Sequence, residues 1–298
     1  MKRHKHIPFL FLLLASAGCE YPFDPHLEKM NSCYGVEGKI TSDSVFQEIR
    51  FFNTRSFTEK NEFEPITDAS MTVEELYQNE LLHTYPFAYQ NSAGKYISLS
   101  PFKGYPGRIY RVVIKKGTDE ITAADTMRLP VWMDSIRFIS SEGYRIFPNG
   151  SYARVTRVSV ACFFADPPEP NNAYLWDTFM NDSLLSDSLS KKSFGGDALF
   201  NGLYVKGLEV SSPSLFPEDS IGNTRFPPMT KITVAMAHIS SDYLRYLVEV
   251  MLSTDWRFGP FSGPPANPKG NLYLNGKKEN VYGYFHTESL TRLSIWHE

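Results

Sequence analysis

The chain of 298 residues has little of what marks the commonest function classes. It holds three cysteines and no Cys-x-x-Cys, so neither a zinc ribbon nor a dithiol redox pair is written in it. Its 30 Lys and Arg are outnumbered by 33 Asp and Glu, and without a basic excess there is no stripe to meet nucleic-acid phosphates. No apolar run approaches the ~20 residues that a helix needs to cross a bilayer core. A Gly-x-Ser-x-Gly elbow, a Walker loop and a dinucleotide fingerprint are all missing. Gly195-Gly196-Asp197 and Asn201-Gly202 read as loop punctuation, not as a phosphate cradle. With 42% hydrophobic and 21% charged residues, the chain is nevertheless far from a disordered composition.

What is present begins with an address. Lys2, Arg3, His4, Lys5 and His6 precede the apolar run Ile7–Ala15, and Ser16-Ala17-Gly18-Cys19 follows. A charged start, a short apolar core and small residues at the end describe an export signal. Small residues before a cysteine resemble a bacterial lipobox, with cleavage between Gly18 and Cys19 and acylation of the Cys19 thiol. Ser16 stands where Leu is commoner. The other reading is an ordinary cleavage site beside a thiol. Two or three acyl chains anchor a protein stably where one does not. Cleavage removes three bases, leaving 27 against 33 acids and a formal charge of −6. Residues 19–32, with Pro22 and Pro25, read as an extended tether.

The rest reads as mainly β. Short strands broken by turns fill residues 33–129, at Gly35–Thr41, Ile49–Asn53, Ala69–Val73, Leu81–Tyr89, Lys95–Leu99 and Ile109–Lys115. In the last of these Tyr110, Val112 and Ile114 share one face, with Arg111 and Lys115 on the other. This density suggests an immunoglobulin- or prealbumin-like sandwich. Pro130 marks a boundary, after which 130–298 reads as a β-rich domain. Its strands are expected at Val131–Ile139, Val155–Ala165, Tyr174–Met180, Leu203–Val210 and Lys231–Ala237. One helix is expected near 241–253, capped by Ser240 or Ser241, with Asp242 in its first turn. Its stripe of Leu244, Leu247, Val248 and Met251, widened by Tyr243, Tyr246 and Val250, points to a helix substantially covered by the sheet.

Chemistry-bearing residues are scattered. His26, His83, His238, His286 and His297 remain after cleavage, none paired at the spacing of a helical zinc site. His238 and His286 lie near strand ends, where convergence on a metal competes with ordinary polar packing. Asp166, Glu169, Asp177 and Asp182 offer oxygens for calcium, but turn chemistry explains them more simply. Paired carboxylates of a glycosidase are set by the fold, and no pair stands out. Cys33 and Cys162 are either a bridge or, as strand geometry favours, two buried thiols.

Aromatic residues, 14% of the chain, are the compositional excess. Trp132, Trp176, Trp256 and Trp296 are either sugar-stacking platforms or ordinary β-core residues, and the second is the simpler reading. Trp256, Phe258, Phe261 and Tyr273, interspersed with Gly and Pro, form a possible partner or ligand surface; the alternative is a stiff connection covering a sheet edge. Asp-Ser/Thr-apolar triplets resemble O-glycosylation acceptors of exported Bacteroidota proteins, Ser188 and Ser220 being the copies expected in surface loops.

The order of these features carries a family resemblance. After the lipoprotein signal come Val36-Glu37-Gly38-Lys39-Ile40-Thr41, Ala69–Val73, Gly94-Lys95-Tyr96, Pro106-Gly107-Arg108-Ile109-Tyr110 and Asp134-Ser135-Ile136. Later stand Phe261-Ser262-Gly263-Pro264-Pro265, Gly270-Asn271 and Gly283-Tyr284-Phe285. Together these resemble the Bacteroidota lipoprotein family known as domain of unknown function 4249, across nearly the whole mature chain. The resemblance transfers no catalytic residue, metal or cofactor. It implies an outer-membrane setting in the company of TonB-dependent transporters. The expectation is a non-enzymatic accessory or ligand-capture lipoprotein that binds no nucleic acid. A surface glycan-binding lipoprotein is the alternative, and a hydrolase ranks below both.

Overall fold

The computed structural model describes residues 33–54, 63–254 and 268–297. Eight strands fill the first part: β1 (Tyr34–Thr41), β2 (Glu48–Asn53), β3 (Glu64–Pro65), β4 (Ser70–Tyr77), β5 (Glu80–Gln90), β6 (Lys95–Ser98), β7 (Ile109–Lys116) and β8 (Asp119–Thr126). After Pro130 come β9 (Met133–Ile146), β10 (Tyr152–Ala165), β11 (Ala173–Met180), β12 (Ser183–Leu184), β13 (Ser193–Gly196), β14 (Tyr204–Glu209) and β15 (Thr230–Ile239). Helix α1 (Ser241–Thr254), β16 (Tyr273–Leu274) and β17 (Val281–His297) complete the described chain. The protein is mainly β, with one α-helix and two sheets among the described residues.

The larger sheet runs β12-β11-β15-β17-β1-β2-β6-β5-β4-β7-β8-β16, with β13 beside β11 and β3 beside β2. The smaller is β14-β10-β9. Period-two patterning explains the local choices. On β7 Tyr110, Val112 and Ile114 are fully buried while Arg111 and Lys115 face out, as the alternation requires. Strand β17 lies outside the strands expected from the sequence. Its pattern hides it, because Thr287, Glu288, Ser289 and Thr291 are polar yet buried. The expected strand at Val131–Ile139 also extends further, through Ser140-Ser141-Glu142-Gly143 to Ile146, as a long ribbon with β10.

Strand β17 organises the molecule. Its first half, Val281–Glu288, pairs in parallel with β1, and Ser289–His297 pairs antiparallel with β15. Two apolar cores flank this strand's two halves. One gathers Val36, Phe51, Val73, Tyr110, Ile121 and Phe285. The other gathers Val131, Val160, Cys162, Phe164, Trp176 and Val234. The run β17-β1-β2-β6-β5-β4-β7-β8 also closes on itself, but through side chains in place of a backbone ladder. Asn271 accepts from Phe285 N (3.0 Å) and donates to Phe285 O (2.7 Å) and to Ala124 O (3.2 Å). Asp125 on β8 accepts from Thr287 N at 2.8 Å and from Thr287 Oγ1 at 3.1 Å.

Two glycines permit this junction. A Cβ on Gly283 (φ +104) would sit 2.0 Å from Val36 O, and one on Gly270 would sit 1.9 Å from Gly283 O. Three backbones therefore meet where any side chain would separate them.

Helix α1 lies on the face of β11 and β15 opposite the second core, over Ala173, Leu175, Ala237 and Ile239. Ser240 caps it, its Oγ accepting from Tyr243 N at 3.3 Å. Cover is narrower than the stripe suggested. Leu247 alone is buried, Tyr243 and Leu244 are half-buried, and Val248, Met251 and Leu252 are exposed. A helix on an outer sheet face needs only one turn-wise line of contacts, so the wider stripe remains in solvent.

Candidate ligand cleft

A cleft of about 420 Å³ lies where β13, β14 and the end of α1 come together. Trp176 and Phe200 line it from the side of the second core, and Phe194 and Met251 from the helix side. Leu208 of β14 joins Trp176 and Phe200 on that side, and Glu209, Lys192, Ser193, Gly195 and Gly196 complete the lining. The alternation of β11 explains the two-sided lining: Tyr174 and Trp176 point into the second core, Ala173 and Leu175 toward the helix. Lys192 is already paired with Asp177, which also accepts from Ser186 Oγ at 2.7 Å. Glu209 is exposed and has no ion-pair partner among the described residues. The lining includes one hydroxyl, Ser193, and no histidine, cysteine or aspartate. Such walls suit binding by apolar contact and one carboxylate.

A second polar cluster sits under α1. Glu288 is buried, with Lys39 Nζ at 2.9 Å and His286 Nε2 at 2.9 Å. Burial alone would raise the Glu288 carboxyl, but the Lys39 ammonium and His286 outweigh it and hold it below the usual carboxylate range. Tyr243 of the helix stacks on the His286 ring at 3.6 Å. The Lys39 stem remains about half exposed, so only the carboxylate end is sealed from water.

His238 lies elsewhere, stacked on Tyr174 at 5.2 Å with Nδ1 2.7 Å from Leu129 O. Burial pushes its titration down. Tyr174 donates to Asp166 at 2.5 Å, and Asp166 also accepts from Gly202 N. His238 and His286 thus serve separate networks. Among the described residues no group of three or more His, Cys, Asp or Glu is arranged to hold a metal ion.

The remaining sequence-derived residues divide sharply. Gly18 and Cys19 lie outside the described residues, as do Trp256, Phe258 and Phe261. Tyr273 is described, 40% exposed on β16, with the Lys278 ammonium 5.0 Å from its ring. Ser188 and Ser220 are both exposed. Ser220 rides on a turn held by Asp219, whose Oδ1 accepts from the backbone N–H of Ile221, Gly222 and Asn223 at 2.9–3.0 Å. Side-chain and backbone donation by Asn223 draws the Asp219 carboxyl down. Trp176 is buried core, whereas Trp132 is 70% and Trp296 54% exposed. Cys33 and Cys162 are both buried and no disulfide joins them; burial pushes the Cys162 thiol up to about 12.

Sequence reasoning missed the cleft itself. Phe194, Phe200, Leu208 and Glu209 come from three separate segments, and only the placement of β13 against β11 brings them together. The motif residues, by contrast, prove structural. Arg108 and Tyr110 both bind the buried Glu75, the Tyr110 hydroxyl donating at 3.2 Å, and Tyr85 donates to it at 2.6 Å. Gly270, Asn271 and Gly283 build the β17 junction described above.

No curated protein and no solved structure matches the chain. One family model does, that of the domain of unknown function DUF4249, over residues 20–293. A match of that extent covers the clamp at Asn271, the Gly283 crossing and both walls of the cleft, and the chain belongs to the DUF4249 family.

Proposed function

We propose that the chain is a non-enzymatic lipoprotein, anchored in the outer membrane through acylated Cys19, that captures a ligand as an accessory of a TonB-dependent transporter. The observation carrying the capture reading is the open cleft of about 420 Å³, walled by aromatic and aliphatic side chains and lacking a nucleophile with a partnered base. Its volume is within the ~300–1,000 Å³ of ordinary ligand sites. The anchoring reading rests on the charged start, the short apolar run and Cys19 after two small residues.

Two experiments test the two halves. Cys19→Ser abolishes metabolic acyl labelling; a label that persists overturns the lipid anchor. Purification of the full chain in mild detergent carries a barrel-sized membrane protein with it; a monomeric, partner-free particle overturns the transporter association. A glycan-binding surface is the second reading, favoured by the exposed Trp132 and Trp296. It requires retention on a polysaccharide column that Trp132→Ala or Trp296→Ala removes.

A further inference from the structure

The cleft lies between two strand edges. Strand β13 pairs with β11 on one side, and among the described strands nothing pairs its other side. Strand β14 pairs, among the described strands, with β10 alone. The hydrogen-bond alternation shows which groups are left over. Asp197 N donates to Asn172 O at 3.1 Å, so Gly195 and Ser193 face β11, while Phe194 and Gly196 turn their N–H and C=O groups outward. Across the cleft, Val210 N donates to Val160 O at 2.9 Å, which turns the backbone groups of Glu209 away from β10. Both outward edges belong to residues that line the cleft.

We infer that the cleft takes an extended peptide segment, added as a strand to the outer edge of β13. Resting on the reading of the cleft as a capture site, this inference names the class of ligand. Four edge residues at ~3.3 Å each offer about 13 Å of pairing, enough for a short strand. Main-chain hydrogen bonds supply affinity in this mode, and pockets for alternate side chains supply selectivity. The Trp176–Phe200–Leu208 wall accepts a large apolar side chain. Glu209, exposed and without an ion-pair partner among the described residues, selects a basic neighbour, whereas Lys192 is already neutralised by Asp177. A sugar would leave the Phe194 and Gly196 edge groups with no matched array of donors and acceptors.

The test uses the full chain in detergent and an array of end-capped pentapeptides. Each carries a central Phe or Leu and, two residues on, Arg, Gln or Glu. Arg peptides bind at least tenfold tighter than Glu peptides, and Glu209→Arg reverses that order without altering the fold, since its side chain is exposed. Methylating the two peptide nitrogens that face β13 weakens binding at least tenfold, and Gly196→Pro, which deletes one outward N–H, does the same. Absence of binding by every pentapeptide overturns the inference, as does binding indifferent to N-methylation and to Glu209→Arg. Oligosaccharides or free aromatic amino acids protecting the cleft while no peptide binds sink the peptide assignment and leave capture standing. Loss of the co-purifying barrel sinks the transporter reading and leaves the peptide assignment intact.

Discussion

Replacing Asn271 by Ala removes three hydrogen bonds at once, two to Phe285 and one to Ala124. Among the described strands none lies beside the outer edge of β17 at this point, so the amide of Asn271 stands in for a ladder partner. Phe285 is fully buried, and its backbone N–H and C=O lose their partners in the variant. An unsatisfied buried backbone group costs about 1–3 kcal/mol. Asn271 itself is half-buried, so water reaches part of the gap, which places the expected loss at about 2–4 kcal/mol for the two groups. Asn271→Asp separates geometry from packing. It keeps the acceptor for Phe285 N but aims a carboxylate at Phe285 O and Ala124 O, so at pH 7 it is at least as destabilising as Ala. Protonation restores a donor, and the Asp variant recovers relative to Ala as the pH falls through a raised carboxyl pKa. Urea unfolding at pH 7 and pH 4.5, with amide exchange at Phe285, reads all of this. A loss below about 0.5 kcal/mol for Ala, or an Asp variant as stable as wild type at pH 7, refutes the clamp.

Further expectations concern the buried groups. Glu288 has a lowered pKa in the folded state, so its stabilising contribution is present above the ordinary carboxylate range near ~4.3 and lost as the pH falls toward the folded value. Glu288→Gln therefore flattens the acid limb of the stability–pH curve, and an unchanged limb sinks the assignment. Lys39→Met strands the carboxylate beside His286 and costs about 2–3 kcal/mol at pH 7, less than a fully sealed pair because the Lys39 stem is half exposed. Gly283→Ala forces β17 away from Val36 and costs about 3–5 kcal/mol by thermal or urea unfolding; a variant near wild type contradicts the close approach. Cys162 is buried with its thiol pushed up to about 12, so maleimide labels it only at the rate of unfolding.

Much of the fold was legible: alternation announces the half-buried β7, and continuous apolar runs announce the more deeply buried β11 and β15. β1, β7, β11 and β15 fall within a residue or two of the expected bounds, and α1 begins at the expected Ser241. Strand β17 was illegible for a physical reason. Its middle is buried on both sides, but by polar residues whose partners, Lys39, Asp125 and Arg128, lie more than 150 positions away. A sequence window cannot price a buried Thr or Glu whose partner is that remote. The cleft was hidden likewise. Trp176 was visible as an aromatic, but its place between the second core and the cleft depends on β13 pairing with the first half of the β11 edge. The glycine and asparagine motifs were read correctly as ordered landmarks, while their work became visible only where Gly270, Gly283 and Val36 meet.

The parallel pairing of β1 with β17 has a mechanical consequence. Tension entering from the N-terminal side arrives at Tyr34, the first residue of β1, and runs along that strand. Eight register positions from Tyr34–Val281 to Thr41–Glu288 oppose it on one flank, and five from Tyr34–Asn53 to Gly38–Ile49 on the other. Load along a strand strains all of these rungs together in shear, whereas load across a hairpin opens them one at a time. The Lys39–Glu288 and Arg50–Glu37 bridges and the Gly283 crossing reinforce the same seam. A load applied at that end meets the whole seam at once before the fold opens.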